Sequence, residues 1–125
     1  MIAADSSSLI AYLQGEQAKD TDAIADAFVA MELHLPPPVL VELLGMGSHE
    51  LAFAQLATGA SLLPLKDGYW LRAREARRLI RSKGLRARGI DTLIAQCCID
   101  ADVALITRDA DFRHFADWCG LKLAI

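Results

Sequence analysis

The sequence predicts an α/β protein built on a central, mainly parallel β-sheet of about five strands with helices on its faces. Short apolar runs typical of buried strands alternate with longer stretches of helical periodicity. No repeat, low-complexity segment or linker interrupts this alternation. The chain has 125 residues, of which 54% are hydrophobic, so it can bury a core, and we expect a single domain spanning residues 1–125.

The first half of the chain contains two predicted strands and four predicted helices. A short strand at 1–4 ends at Asp5, and the helix after it begins in three serines and closes at Gly15. Prolines 36–38 open the third helix, where a missing backbone N–H costs little. The remaining elements are a helix at 20–32, a strand at 33–35, the proline-opened helix to 47, and a helix at 51–58.

The second half alternates in the same way and carries a strongly basic helix. We expect Asp67 to cap this helix, which runs from 68 to about 83 with a buried stripe of Tyr69, Ala73, Ala76 and Ile80. The other predicted elements are a strand at 60–65, a helix at 90–101, a strand at 103–108, a short helix at 109–118 and a closing edge strand at 121–125.

Five acidic residues are predicted to meet where the parallel strands end. Ligand sites of open parallel sheets lie beyond the carboxyl ends of the strands. Asp5 follows the first strand, and Asp109 and Asp111 follow the fourth. Asp91 lies in the middle of an apolar helix face at its N-terminal end, and Glu42 lies beside the apolar face of its helix. These positions direct all five carboxylates toward one edge of the sheet.

Most of these acids also have a simpler structural explanation. Asp5, Asp91 and Asp109 are favoured helix caps, and Asp111 would stabilise the dipole of a first helical turn. Glu42 lies within its helix, where capping does not apply. One shared site accounts for all of these positions more economically than separate structural roles.

A cluster of carboxylates requires protons or cations. Two carboxylates about 4 Å apart repel each other by about 4 kcal/mol at an effective dielectric constant of about 20. Oxygen ligands without histidine or cysteine favour Mg²⁺ or Mn²⁺. Such an ion activates water and stabilises phosphoryl oxygens. Convergence of Asp5, Glu42, Asp91 and Asp109 would therefore favour phosphodiester hydrolysis.

The charge distribution is consistent with a phosphate-bearing substrate. The net charge is −3, but residues 72–88 carry +7, which leaves −10 for the rest of the chain. A solvated helix face is the simpler interpretation of such a run, but its closeness to Asp91 favours phosphate binding. The candidate phosphate-binding residues are Arg74, Arg77, Arg78 and Arg81 on one helix face, with Arg86 and Arg88 in the loop that leads to Asp91. They would be RNA-binding residues if the phosphodiester belongs to RNA.

Four segments in order resemble the acidic motifs of PIN-domain ribonucleases of the VapC-like toxin type. They are "DSSSLIAYL" with Asp5, "PPPVLVELLG" with Glu42, "GLRARGIDTLIAQC" with Asp91 and "LITRDADF" with Asp109. Each motif alone is weak, but four in order at these separations are specific. The resemblance extends over nearly the whole chain.

This resemblance implies a three-layer α/β/α fold and Mg²⁺- or Mn²⁺-dependent endonucleolytic cleavage of RNA. It makes Asp5, Glu42, Asp91 and Asp109 the expected catalytic metal ligands, Asp111 an accessory metal-site acid, and Ser7 and Thr107 supporting hydroxyls. It also implies a homodimer and a cognate antitoxin, the toxin's neutralising partner. The C-terminal segment of that antitoxin would cross the active groove and bring a basic side chain to the acids.

Three alternative functions fit the sequence less well. A receiver domain of two-component signalling needs an acidic pair after the first strand and later Asp and Lys residues that are not evident. A haloacid-dehalogenase-like phosphatase needs Asp-x-Asp where this chain has Asp5-Ser6-Ser7. A PIN fold that only binds RNA or protein is disfavoured by acids at all four motif positions. No apolar run reaches the length of a membrane span and no signal peptide is evident, so we expect a cytoplasmic protein without membrane contact.

Overall fold

The computed structural model describes residues 1–45 and 50–125 and has a four-stranded parallel sheet as its centre. The strands are β1 (Ile2–Ala4), β2 (Leu33–Leu35), β3 (Ser61–Leu62) and β4 (Ala104–Ile106). The helices are α1 (Ser6–Leu13), α2 (Lys19–Val29), α3 (Val39–Leu44), α4 (Glu50–Gly59), α5 (Tyr69–Ser82), α6 (Gly89–Ala101) and α7 (Phe112–Cys119).

The helices form two groups around this sheet. Helix α1 packs on α2 and α3, and α2 also packs on α4, whereas α5, α6 and α7 all pack on one another. The sheet lies between the two groups, which is the predicted three-layer α/β/α arrangement. The apolar strand residues, among them Ala3, Leu33 and Leu105, are buried in the resulting core.

The strand order is β3-β2-β1-β4, and its parallel register determines which residues meet at the carboxyl edge. Ala4 at the end of β1 pairs with Ile106 at the end of β4. The amide of Asp5 donates to the carbonyl of Ile106 at 3.1 Å. The residues that follow these two strands, Asp5 and Thr107, therefore stand beside each other.

The predicted closing strand is reduced to a single bridge. Leu123 pairs with Leu105 in parallel, through bonds of 2.9 Å from the Leu105 amide to Lys122 and from the Ala124 amide to Leu105. Both bonds involve the backbone of Leu105, so the ladder does not extend along residues 121–125. The described sheet therefore has four strands where the sequence predicted about five.

The basic helix begins differently from the prediction. Gly68 occupies the position before the first turn with a φ of +80°, a left-handed conformation that favours glycine. Among the described residues no side chain caps α5, so the predicted Asp67 cap is wrong. The predicted buried stripe is confirmed, because Tyr69, Ala73, Ala76 and Ile80 are its buried residues.

Two further expectations concern the end of the third helix and the length of the helices. The third predicted helix is confirmed as α3, which ends at Leu44 with Gly45 as its C-cap; residues 46 and 47 of the predicted helix lie outside the described residues. Among residues 1–45 and 50–125, no helix combines the length and the apolarity needed to cross a bilayer.

Candidate metal centre

Three carboxylates of the carboxyl edge lie close enough to share one cation. Asp91, Asp109 and Asp111 each offer an oxygen atom, and these atoms all lie within 4.8 Å of one another. Asp91 is buried, while the other two are half-buried and open toward solvent. Asp91 is the third residue of α6 and not its cap, so the capping explanation of this residue is wrong.

Asp91 brings a buried oxygen with no hydrogen-bond partner to this group. Its Oδ2 atom finds no donor among the described residues. Burial raises the pKa of Asp91 to about 6; the negative charge of Asp109 adds to this effect and the positive charge of Arg88 opposes it. The negative charges of Glu42 and Asp5 also raise the pKa of Asp91, by smaller amounts. An orphaned buried carboxylate beside two other acids fits a divalent cation, which would satisfy its lone pairs.

Asp5 lies at the edge of this group and is held by three donors. Its Oδ1 accepts from the Ser7 hydroxyl at 2.8 Å and from the Ser8 amide at 3.2 Å, so it also caps α1. Its Oδ2 accepts from the Thr107 hydroxyl at 2.6 Å. Burial raises the pKa of Asp5, and these hydrogen bonds offset part of the increase. The orientation of the carboxylate is thereby fixed on both oxygens.

Thr107 links Asp5 to the loop that carries the other acids. Its hydroxyl donates to Asp5 and accepts from the amide of Asp109 at 3.0 Å. Asp109 Oδ1 in turn accepts from the amide of Asp111 at 2.9 Å. One hydroxyl therefore connects the ends of β1 and β4 and sets the start of the loop at Asp109.

Glu42 occupies a more exposed position than the other acids. It lies in α3, and its Oε1 accepts from the Ser6 hydroxyl at 2.8 Å. Neither Glu42 nor Asp5 belongs to the three-residue group within 4.8 Å. Glu42 is therefore connected to the acids through Ser6 of α1. Among the described residues, Asp91, Asp109 and Asp111 form the tightest group.

Three consecutive serines have separate roles that the sequence interpretation missed, apart from Ser7. Ser6 donates to Glu42, Ser7 to Asp5, and Ser8 to Asp20 at 2.9 Å. Successive helical residues point about 100° apart, so one turn of α1 reaches three different acids. The run of hydroxyls directly after Asp5 was the available signal, but its distant partners could not be read from the sequence.

The predicted RNA-binding arginines divide into two groups. Arg74, Arg77, Arg78 and Arg81 line one surface cavity of about 480 Å³ on α5. The Nε atom of Arg77 also donates to the carbonyl of Ala87 at 2.9 Å, which braces the loop before α6.

The other two arginines lie beside the acids. Arg86 Nε is 3.9 Å from Asp111 Oδ2, and Arg88 is close enough to lower the pKa of Asp91. The structure thus places one cationic cavity on α5 and two further cations at the acidic group.

The parallel sheet and the acids at its carboxyl edge define an α/β protein with a candidate divalent-cation centre. A sequence model described as PIN domain matches residues 2–117. The chain therefore belongs to the PIN domain family. PIN domains are generally nucleases, and membership supports a hydrolase that acts on nucleic acid.

Two solved structures have the same fold. A chain of VapBC2 from Rickettsia felis, crystallised bound to a DNA fragment from its promoter, is 17% identical with a TM-score of 0.74; the match covers 98% of this chain and 97% of that one. A chain of FitAcB from Neisseria gonorrhoeae is 18% identical with a TM-score of 0.72, covering 98% and 96% respectively. No curated protein matches the chain in sequence.

The pH dependence of the unfolding free energy of the cation-free protein should reveal the buried carboxylate of Asp91. Since its pKa is raised to about 6, the folded state binds more protons than the unfolded chain between about pH 4 and 6. Stability should therefore fall as pH rises through this window, relative to Asp91→Asn. Urea unfolding of both proteins with a chelator at several pH values measures this difference. Parallel pH curves for the two proteins would contradict the expected repulsion.

Proposed function

We propose that this protein is a Mg²⁺- or Mn²⁺-dependent endoribonuclease and the toxin component of a type II toxin–antitoxin system. The observation that carries the proposal is the Asp91 carboxylate. Its buried Oδ2 has no hydrogen-bond partner among the described residues, and one of its oxygens lies within 4.8 Å of oxygens from Asp109 and Asp111. Membership of the PIN domain family supports nuclease chemistry. The resemblance of the four acidic motifs to VapC-like toxins supports RNA as the substrate.

In this proposal Asp91, Asp109 and Asp111 hold the cation, with Asp5 and Glu42 completing the acidic centre. When bound, a divalent cation supplies Lewis acidity that favours attack of water on phosphorus and stabilises the developing negative charge. The chain's own residues set the geometry. Ser7 and Thr107 orient Asp5, Thr107 anchors the backbone of Asp109, and Ser6 anchors Glu42.

The arginines would bind the RNA backbone at this centre and in the cavity on α5. Arg86 and Arg88 lie beside the acids, where they can contact the phosphate undergoing cleavage. The cavity lined by Arg74, Arg77, Arg78 and Arg81 would bind phosphates further along the strand.

Replacing Arg74 and Arg81 together with glutamine should weaken RNA binding and flatten its salt dependence. Each lost phosphate contact on a single strand reduces the slope of log K against log salt by about 0.7, so the pair should reduce it by about 1.4. Fluorescence anisotropy with labelled single-stranded RNA, at several salt concentrations and with a chelator present, measures this slope. Arg113→Gln, which removes an exposed cation on α7, is the control. An unchanged slope in the double variant would exclude a phosphate role for this cavity.

Mapping of RNA cleavage sites in cells tests the proposed function directly. Cells that express the wild-type chain should show discrete new RNA 5′ ends that are absent from cells with the Asp91→Asn variant. Purified protein should reproduce the same cuts only when Mg²⁺ or Mn²⁺ is added. RNA that is bound but uncut by the wild-type protein under these conditions would instead indicate a binding module.

We further propose a cognate antitoxin as the protein partner. The likeness to the VapBC2 and FitAcB structures, both named as complexes of two proteins, supports this assignment. An antitoxin segment with a basic side chain among the acids would compete with RNA and with the cation. Co-expression with the gene encoded beside this one should abolish RNA cleavage and yield a stable complex on purification.

The remaining parts of the proposal concern assembly and location. We propose a homodimer of single domains, each spanning residues 1–125, that acts in the cytoplasm. The homodimer rests on the resemblance to VapC-like toxins; Val41 and Leu44 of α3, with exposed fractions of 69% and 65%, are exposed apolar side chains close together in the sequence. Sedimentation equilibrium at micromolar concentration should give twice the chain mass.

A further inference from the structure

A second polar cluster lies next to the acidic centre and has no part in the chemistry proposed above. Asp20 of α2 is 7% exposed and accepts two hydrogen bonds from Arg108, from Nε to Oδ2 at 2.8 Å and from Nη2 to Oδ1 at 2.9 Å. Glu16 accepts a third bond from Arg108 Nη1 at 3.0 Å. Paired bonds of this kind fix a guanidinium group in position and orientation. We call Asp20 and Arg108 the clamp.

The clamp is attached to the loop that carries Asp109. Arg108 stands between Thr107, which binds Asp5, and Asp109 itself. Its own amide lies 3.4 Å from the Ser7 hydroxyl, the group that donates to Asp5. An immobilised Arg108 side chain therefore restricts the backbone on which Thr107 and Asp109 depend.

The clamp is also attached to the first helical turn, which holds Asp5. The Ser8 hydroxyl donates to Asp20 Oδ2 at 2.9 Å, while the Ser8 amide donates to Asp5 Oδ1 at 3.2 Å. Asp20 thus accepts one side-chain bond from the first turn of α1 and two from the loop after β4, the two segments that meet at the carboxyl edge of β1 and β4. Asp20 is therefore a shared hydrogen-bond acceptor that links the first turn of α1 to the loop after β4.

We propose that Asp20 and Arg108 are positioning residues for the metal centre, which fix the separation between Asp5 and Asp109. The inference rests on the proposed function, since it assumes that these acids surround a cation. Residues that orient metal ligands through hydrogen bonds typically contribute 10- to 100-fold to metal affinity or activity. Neither residue contacts the cation or substrate in this proposal.

A second ion pair of the same geometry provides a matched control. Arg72 donates to Asp100 from Nε at 2.9 Å and from Nη2 at 2.7 Å, and Gln96 donates to the same carboxylate at 2.8 Å. This pair joins α5 to α6 at the end of α6 opposite Asp91. Asp100→Asn therefore removes the same chemical group from a comparable pair without touching the loop at 107–111.

The test is titration of Mn²⁺ alone into full-length protein without RNA, followed by calorimetry. Asp20→Asn and Arg108→Gln should each weaken Mn²⁺ binding by about 10- to 100-fold, while Asp100→Asn should bind as the wild type does. The two clamp substitutions change the net charge in opposite directions. A purely electrostatic effect would therefore weaken binding in the first variant and strengthen it in the second, whereas loss of positioning weakens both.

Hydrogen exchange of the chelator-treated proteins gives a readout that does not depend on the cation. The amides of Asp109 and Asp111 should exchange at least about tenfold faster in both clamp variants, because the loop at 107–111 opens more often when Arg108 is not held. Should Asp20→Asn fail to fold, Arg108→Lys, which keeps the charge but loses the paired geometry, takes its place in both measurements.

The outcomes separate this inference from the proposed function. Wild-type affinity for Mn²⁺ in both clamp variants would overturn the positioning role and leave the metal centre intact. Equal losses in Asp20→Asn and Asp100→Asn would also overturn it, since they would indicate a general effect of stability. Failure of the wild-type protein to bind Mn²⁺ would overturn the metal centre and, with it, this inference.

Discussion

Replacing Asp91 with asparagine should reduce metal-dependent RNA cleavage by roughly 1,000-fold or more and leave the fold intact. The substitution removes the buried anion nearest to Asp109 and Asp111, which the cation needs for charge balance. A centre that holds the cation poorly loses the several kcal/mol of charge stabilisation that the cation supplies, which corresponds to on the order of 1,000-fold in rate. Cleavage of a fluorescent RNA with added Mg²⁺, at enzyme excess, measures the effect.

The same substitution should stabilise the protein when no cation is present. Asp91 pays a desolvation cost as an anion, and its Oδ2 has no described partner. A neutral asparagine of the same shape removes the repulsion from Asp109, so we expect a gain of about 1 to 2 kcal/mol at pH 7 after allowance for solvent screening. Urea unfolding in chelator gives this difference. Substitution of a residue with a structural role would lower the unfolding free energy of the protein. Substitution of a metal ligand should instead lower its activity and raise its unfolding free energy in chelator.

Asp102→Asn provides the control for both measurements. Asp102 follows the same helix at its opposite end, is exposed, and pairs with Lys122 at 2.7 Å on the surface. Its backbone has a φ of +54°, which asparagine tolerates well. This variant should keep wild-type activity. An Asp91→Asn protein as active as wild type with Mg²⁺ would refute the proposed centre.

The parts of the fold that follow from local pattern were predictable. The strand Leu33–Leu35 has its predicted bounds, and the buried stripe of α5 follows from helical periodicity alone. Residues 121–125 have an equally apolar pattern but form one bridge, because pairing at a sheet edge depends on how far the partner strand extends. The predicted cap at Asp67 failed because Gly68 determines the start of the helix.

Some features of the candidate site likewise follow from local sequence pattern, whereas others depend on tertiary packing. The parallel register brings Asp5 beside the residues after β4, and the position of Asp91 follows from the apolar face of α6. The bonds of Ser8 and Arg108 to Asp20 span 12 and 88 residues and come from tertiary packing. No local pattern indicates such pairs. Acids that follow strands can therefore be predicted from sequence, whereas the side chains that hold them in place require a structure.

Replacing Thr107 with valine should weaken Mn²⁺ binding and RNA cleavage by about 10- to 100-fold. Valine has nearly the same shape but removes the donor to Asp5 Oδ2 and the acceptor for the Asp109 amide. Both acids then lose a bond that sets their orientation. Thr107→Ser, which keeps the hydroxyl, should retain most of both activities.

The pH dependence of the Thr107→Val defect distinguishes this role from a loss of packing. The Thr107 hydroxyl lowers the pKa of Asp5 against the effect of burial, so its removal should raise that pKa further. More of the Asp5 carboxylate is then protonated at acidic pH, where protons compete with the cation. The loss of Mn²⁺ affinity should therefore be largest at about pH 5 and shrink as pH rises toward 8.

Thr21→Val is the matched control for this last prediction. Thr21 is buried, donates one bond and accepts one, both with the backbone of Ala18 at the start of α2. Its loss should lower the unfolding free energy by about 1 kcal/mol and leave the pH profile of Mn²⁺ binding unchanged. A Thr107→Val protein that loses stability as Thr21→Val does, but binds Mn²⁺ with the wild-type pH profile, would show that Thr107 serves only the packing between β1 and β4.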